Sequence, residues 1–153
     1  MMSRSYSLFR FASTIILPSL LIGCASLSGG QTSTVRCQYD TVWDESLMVL
    51  ERATLITADK SSGVLETDWE KGMSKQGVGA FGRKLTQERS SLFVKIIDDH
   101  DVSTIRVIHV RQEHPLSGVK ALRWFPVDGS PHVERRILNT IQQRLKKHGC
   151  HPI

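Results

Sequence analysis

Three of the 153 residues are cysteines, and the thiol is the most reactive side chain in the sequence. Cys24 closes an apolar run near the N-terminus, whereas Cys37 and Cys150 stand far apart on either side of the remaining chain. A thiolate can attack, hold a metal, accept a covalent group or join a disulfide, and its surroundings decide which. His148, Cys150 and His151 lie close together and offer donors that a soft metal takes. That tail is short and a disulfide uses Cys150 better, so no metal site is expected. The His-Glu-x-x-His zinc pattern and the Gly-x-Ser-x-Gly nucleophile elbow are both absent. Gly77-Val78-Gly79-Ala80-Phe81-Gly82 fits Gly-x-Gly-x-x-Gly, but that fingerprint works by opening a helix after a buried strand. Here it sits among Lys71, Lys75, Arg83 and Lys84, ahead of a strand-like segment, so no nucleotide or other cofactor is expected. Asp98, Asp99 and Asp101 lack the register and glutamate of a calcium loop and read as a turn. Glu66, Asp68 and Glu70 alternate along one strand as a solvated face does. No catalytic constellation emerges, and a non-enzymatic protein is expected.

Cys24 has the one context that specifies a reaction. Arg4 and Arg10 precede a mostly apolar stretch, Phe11 to Ile22, which Pro18 interrupts. A basic start, a short apolar run and a small residue at the cut describe a secretory signal. The run is too short to span a hydrocarbon layer of about 30 Å. Leu21-Ile22-Gly23-Cys24 resembles the bacterial lipobox. In that motif the thiol receives a diacylglyceryl group and a dedicated peptidase then cuts before the cysteine. The resemblance implies a signal peptide over residues 1–23, cleavage between Gly23 and Cys24, and a lipid anchor on Cys24. One acyl chain binds a membrane marginally and two or more hold it. Ala25 stands where aspartate would mark inner-membrane retention in many Gram-negative bacteria, so the outer membrane is the expected location.

The rest has the length of one domain. The whole sequence carries a formal charge of +5, with both signs mixed along it and no long basic block. Mild basicity suits an anionic membrane surface, and nucleic acid is not an expected partner. An oxidising periplasm permits a Cys37–Cys150 disulfide; two buried thiols are the alternative. Such a closure constrains the unfolded chain by roughly 4–5 kcal/mol.

The elements that must position these residues follow from periodicity. Residues 24–36 are small and polar and read as a tether, leaving 37–153 as a single domain. Tyr39, Val42, Trp43, Leu47 and Leu50 recur at helical spacing, with Asp40 or Thr41 to cap the start. Two strands follow, at about 54–59 and 63–70, joined by a Lys60-Ser61-Ser62-Gly63 turn. A second hairpin spans about 85–97 and 102–113. Segments 71–84 and 114–131 read as loops, the first basic and glycine-rich, the second carrying Trp124 and Phe125. A last helix from about Pro131 to His148 presents Val133, Ile137, Ile141 and Leu145, with Gly149 as its stop. The expected class is α+β, in the order α-β-β-β-β-α, with a four-stranded antiparallel sheet packed by the two helices.

That order, with Val42-Trp43-Asp44 in the first helix, Thr67-Asp68-Trp69 ending a strand, the basic glycine loop, Arg89 and the closing helix, resembles the helix-grip domain of the BamC (NlpB/DapX) lipoprotein family. It covers roughly residues 38–147. The resemblance implies a helix-grip fold and a part in the machinery that inserts β-barrels into the outer membrane. The long docking segment and second domain of that family have no counterpart here, so no docking residue carries over. The expected role is an interaction module for an envelope protein, with Lys71, Lys75, Arg83, Lys84, Trp124 and Phe125 as its surface. The alternative is a lipid or small-ligand binder using a groove between helix and sheet.

Overall fold

A computed structural model describes residues 29–74, 86–115 and 123–153. The protein is α+β: two helices pack on one face of a large antiparallel sheet. Among the described residues the sheet has eight strands, not the four expected. They are β1 (Gln31–Arg36), β2 (Leu55–Asp59), β3 (Val64–Thr67), β4 (Glu70–Ser74), β5 (Thr86–Asp99), β6 (Val102–Pro115), β7 (Phe125–Val127) and β8 (His151–Pro152). The helices are α1 (Tyr39–Val49) and α2 (Pro131–Lys146).

The centre is the β5–β6 hairpin, in register from Thr86↔Pro115 to Asp99↔Val102. His100 turns its tip with φ 59°. Along it Val94, Ile96, Ile105 and Val107 point to the helices, while Phe93, Lys95, Arg106 and Ile108 point away, as strand alternation requires. On the β5 side β3 and then β4 pair with it, and β2 closes that edge; Asp68 and Trp69 interrupt the ladder between β3 and β4. On the β6 side β1 pairs with Val102–Val107 and β7 with Arg111–Glu113, leaving a gap between them.

Four segments depart from the sequence reading, each for a physical reason. Residues 31–36 form a strand rather than part of a tether, although only Val35 is an apolar residue with a core to enter. Lys71–Ser74 continue as a strand because β5 outlasts β3 and offers them a free edge. Phe125–Val127 pair with the exposed end of β6. The C-terminal His151–Pro152 adds a further strand against β1, with Ile153 N–H donating to Thr34 O at 3.0 Å.

The helices carry the rest of the core. Val42, Trp43 and Leu50 of α1 meet Leu138, Ile141 and Leu145 of α2 over Val35, Leu65 and the central hairpin. Leu47, expected inward, is 36 % exposed; Glu45 and Ser46 turn inward instead. Neither Asp40 nor Thr41 caps α1: Gln38 is the N-cap and gives no side-chain bond, while Asp40 pairs with Lys60 at 2.9 Å. The α2 start is a true cap, Ser130 Oγ accepting from Val133 N–H at 3.5 Å with Pro131 behind it. Gly149 ends the helix with φ 76°.

Cys37 and Cys150 are joined by a disulfide across a sequence separation of 113. It ties the β1–α1 junction to the α2–β8 junction. The same corner is sewn by Ser103 Oγ donating to Cys37 O at 3.2 Å and Cys37 N–H donating to Asp101 O at 3.0 Å. The double replacement Cys37→Ser with Cys150→Ser is expected to cost roughly 2–5 kcal/mol. Urea denaturation checks it: an unchanged midpoint would show that the hydrogen bonds alone hold the corner.

Candidate functional site

The central hairpin continues past the point where the helices stop covering it. There a groove of about 1010 Å³ opens between the sheet, the C-terminal end of α1, the N-terminal half of α2 and β4. Leu92 of β5, Leu50 of α1, and Val133 and Ile137 of α2 give it apolar walls. Glu88, Ser90 and His109 stand on its sheet side, and Arg52, Asp68, Glu70 and Arg136 around its rim. Its size lies at the upper end of the range for ligand clefts, and its lining is more polar than is usual for them.

The polar groups of the floor are held by the fold itself. Arg111 grips Glu88 in a two-pronged pair, Nε to Oε1 at 2.7 Å and Nη2 to Oε2 at 2.8 Å, and donates through Nη1 to Asp128 O at 3.1 Å. These bonds hold the Glu88 carboxyl below its usual range and raise the Arg111 guanidinium. Thr67 Oγ1 accepts from Leu92 N–H at 2.9 Å.

His109 lies at the gap in the sheet edge between β1 and β7. Its main chain there has no neighbouring strand, and the start of α2 takes that place. The buried Glu134 accepts from His109 N–H through Oε1 at 3.0 Å. Gly129 passes so close that a Cβ there would lie 2.1 Å from His109 O, which only glycine permits. The ring also has a partner: Ser130 N–H donates to Nδ1 at 3.1 Å. That bond needs an unprotonated Nδ1. Burial lowers the imidazole below its ordinary value, and the neighbouring Arg111 charge adds to the effect.

On the opposite face of the same strands Arg89 lies between two indoles, 4.5 Å from the ring centre of Trp69 and 4.5 Å from that of Trp124. Gln112 Oε1 accepts from its Nε at 2.9 Å and its Nη2 at 2.6 Å. His114 sits 5.2 Å from Trp124, centre to centre. Stacked and bonded in this way, the guanidinium is a fastener for β4, β5, β6 and the segment before β7.

The expected partner surface is therefore not one patch. Lys71, paired in register with Arg89, is exposed on the helix-free face of β4, the strand that borders the groove. Trp124 is engaged with Arg89 and His114 on the helix-free face, whereas Phe125, paired in register with Glu113, lies on the helix side with Arg123 over its ring at 4.8 Å. Gly23, Cys24, Lys75, Arg83 and Lys84 lie outside the described residues. The disulfide, formed by Cys37 and Cys150, takes the only thiol of the His148, Cys150 and His151 cluster. His148 bonds Glu45 instead, Nε2 to Oε1 at 2.8 Å. Sequence reasoning missed His109, Glu134 and the Trp69–Arg89–Trp124 stack, because their partners are dispersed along the chain and no linear spacing announces them.

Two outcomes follow from this geometry. Folded His109 resists protonation, so its contribution to stability is complete above the unfolded value of about 6.5 and falls away as pH drops through the lowered folded value. The His109→Asn variant keeps an acceptor but cannot titrate. Its urea midpoint should fall less than that of the parent between pH 7.5 and pH 5, and equal slopes would refute the assignment. The Trp124→Ala variant should lose about 0.5–2 kcal/mol from the stack, read by thermal melting. Comparison with known proteins gives no match, neither to a family model nor to a curated protein.

Proposed function

We propose that this chain is an outer-membrane lipoprotein, cleaved before Cys24, anchored through it and facing the periplasm, whose domain binds an envelope protein rather than catalysing a reaction. The groove between helices and sheet is the observation that carries the reading. It is open, it combines apolar walls with Arg52 and Arg136 beside Asp68 and Glu70, and Glu88 and His109 of its floor are already committed to Arg111 and Ser130. A site of that kind suits a segment of polypeptide with apolar side chains flanked by charged ones of both signs. The groove thus replaces the two loops as the contact surface, with Lys71 on the strand that borders it. The helix-grip character of the domain and its likeness to the BamC family belong to the same proposal, and they point to barrel assembly as the process.

The apolar wall of Leu50, Leu92, Val133 and Ile137 favours a second occupant, a lipid or other small amphiphile. Both readings meet in one experiment. The full lipoprotein is crosslinked in intact membranes, purified in mild detergent and analysed by mass spectrometry for proteins and for extractable lipid. Ile137→Trp, which fills the groove, should abolish crosslinks to the partner, and Cys24→Ser should release the domain from the membrane fraction. Crosslinks that survive Ile137→Trp would remove the groove from the proposal. Stoichiometric lipid lost on the same substitution would select the second occupant.

A further inference from the structure

The helix-free face of the sheet is where the chain comes in from the N-terminal side. Gly30 takes φ 98° and packs so that a Cβ would lie 2.8 Å from Ile108 Cγ1 and 2.7 Å from Val107 O. Gly29 O accepts from Arg106, at 3.2 Å from Nε and 2.6 Å from Nη2. Arg106 and Ile108 both point away from the helices, so the chain crosses that face rather than the groove side. Only four residues separate Cys24 from Gly29, and an extended chain over those five steps reaches about 17 Å.

The face itself is basic with an apolar element. Strand alternation places Arg36, Lys95 and Arg106 on it, together with Ile97, which is 53 % exposed, and the hydroxyls of Thr32 and Thr34. Its nearby acids are Asp59, Glu66 and Asp99, and Lys71 and Arg89 add two further cations along the same face toward β4. We infer that this helix-free face lies against the anionic phospholipid leaflet in which the protein is anchored, with Arg36 and Arg106 near the headgroups and Ile97 toward the interface. The groove, on the other side of the sheet, then opens into the periplasm. The inference rests on the lipid on Cys24. A short tether alone holds the domain near the bilayer; the charge and the exit of the chain select which face meets it.

The parent's cysteines are all committed under this reading, so one introduced cysteine gives one label. The full lipoprotein is labelled with a fluorophore at Ile97→Cys or, on the outward side of α2, at Asn139→Cys. Each is reconstituted in vesicles of phosphatidylethanolamine and phosphatidylglycerol carrying a headgroup quencher. The label at 97 should be quenched several-fold more than the label at 139, and adding Arg36→Glu or raising salt should erase the difference. Equal quenching at both positions, with the triacylated mass found on Cys24, overturns the orientation and leaves the anchor standing. Absence of that mass overturns the anchor and the orientation together.

Discussion

Every other strand hangs directly or through one neighbour on the ladder between β5 and β6. Each of these strands has fourteen residues, about 48 Å at the rise of an antiparallel strand. The longer helix has sixteen, about 24 Å at the helical rise. A near-equal count of residues therefore gives lengths that differ by a factor of about two. Helices that cover one half of the hairpin must leave the other half bare. The bare half is where β4 and β7 add themselves and where the groove opens. The site follows from a mismatch of rise per residue, which no single residue encodes.

Carboxylates do much of the joining where apolar packing runs out. Glu134 substitutes for a missing strand at His109, Glu88 braces Arg111 across the hairpin, and Glu45 sits between α1 and α2. Burial works against ionisation of Glu45, but hydrogen bonds from His148 and Arg144 outweigh it and hold the carboxyl below its usual range. Partnered groups of this sort add little net stability over a well-packed apolar alternative, yet losing one partner strands the other at a cost of about 3–5 kcal/mol. They fix how α2 sits over the sheet more than they strengthen the domain. Ser46, fully buried on α1 with no partner for its hydroxyl among the described residues, shows the contrary case of an uncompensated polar group.

The parts of the fold that were legible in the sequence are those where one residue pattern decides one structure. The β5–β6 hairpin and α2 were read nearly to their ends, because Leu92, Val94 and Ile96 alternate and Ile137, Ile141 and Leu145 recur every four residues. The segments missed were short strands recruited by a neighbour. Gln31–Arg36 is polar at all but one position, and Glu70–Ser74 carries glycine and lysine; both become strands because an edge of the hairpin was free to pair. In α1 the pattern held for Val42, Trp43 and Leu50 and failed at Leu47, since Glu45 was drawn inward by Arg144 of α2 and by His148 just past its end. The disulfide was readable from the cysteine count and the expected compartment. The groove was anticipated only as a general possibility between helix and sheet, and its position came from element lengths.

The pairing of β1 with β6 and β8 has a consequence for the order of events in folding. The Thr34–Thr104 contact joins residues 70 apart, and the disulfide joins residues 113 apart. A topology dominated by such distant pairings folds slowly, because loop closure must precede the reward of contact. A chain emerging from its N-terminal end presents β1 first and its partners last. Until β6 and β8 follow, β1 is an unpaired polar strand. Its composition of threonine, serine and glutamine, poor as a strand signal, also makes it a poor template for pairing with another chain in that interval.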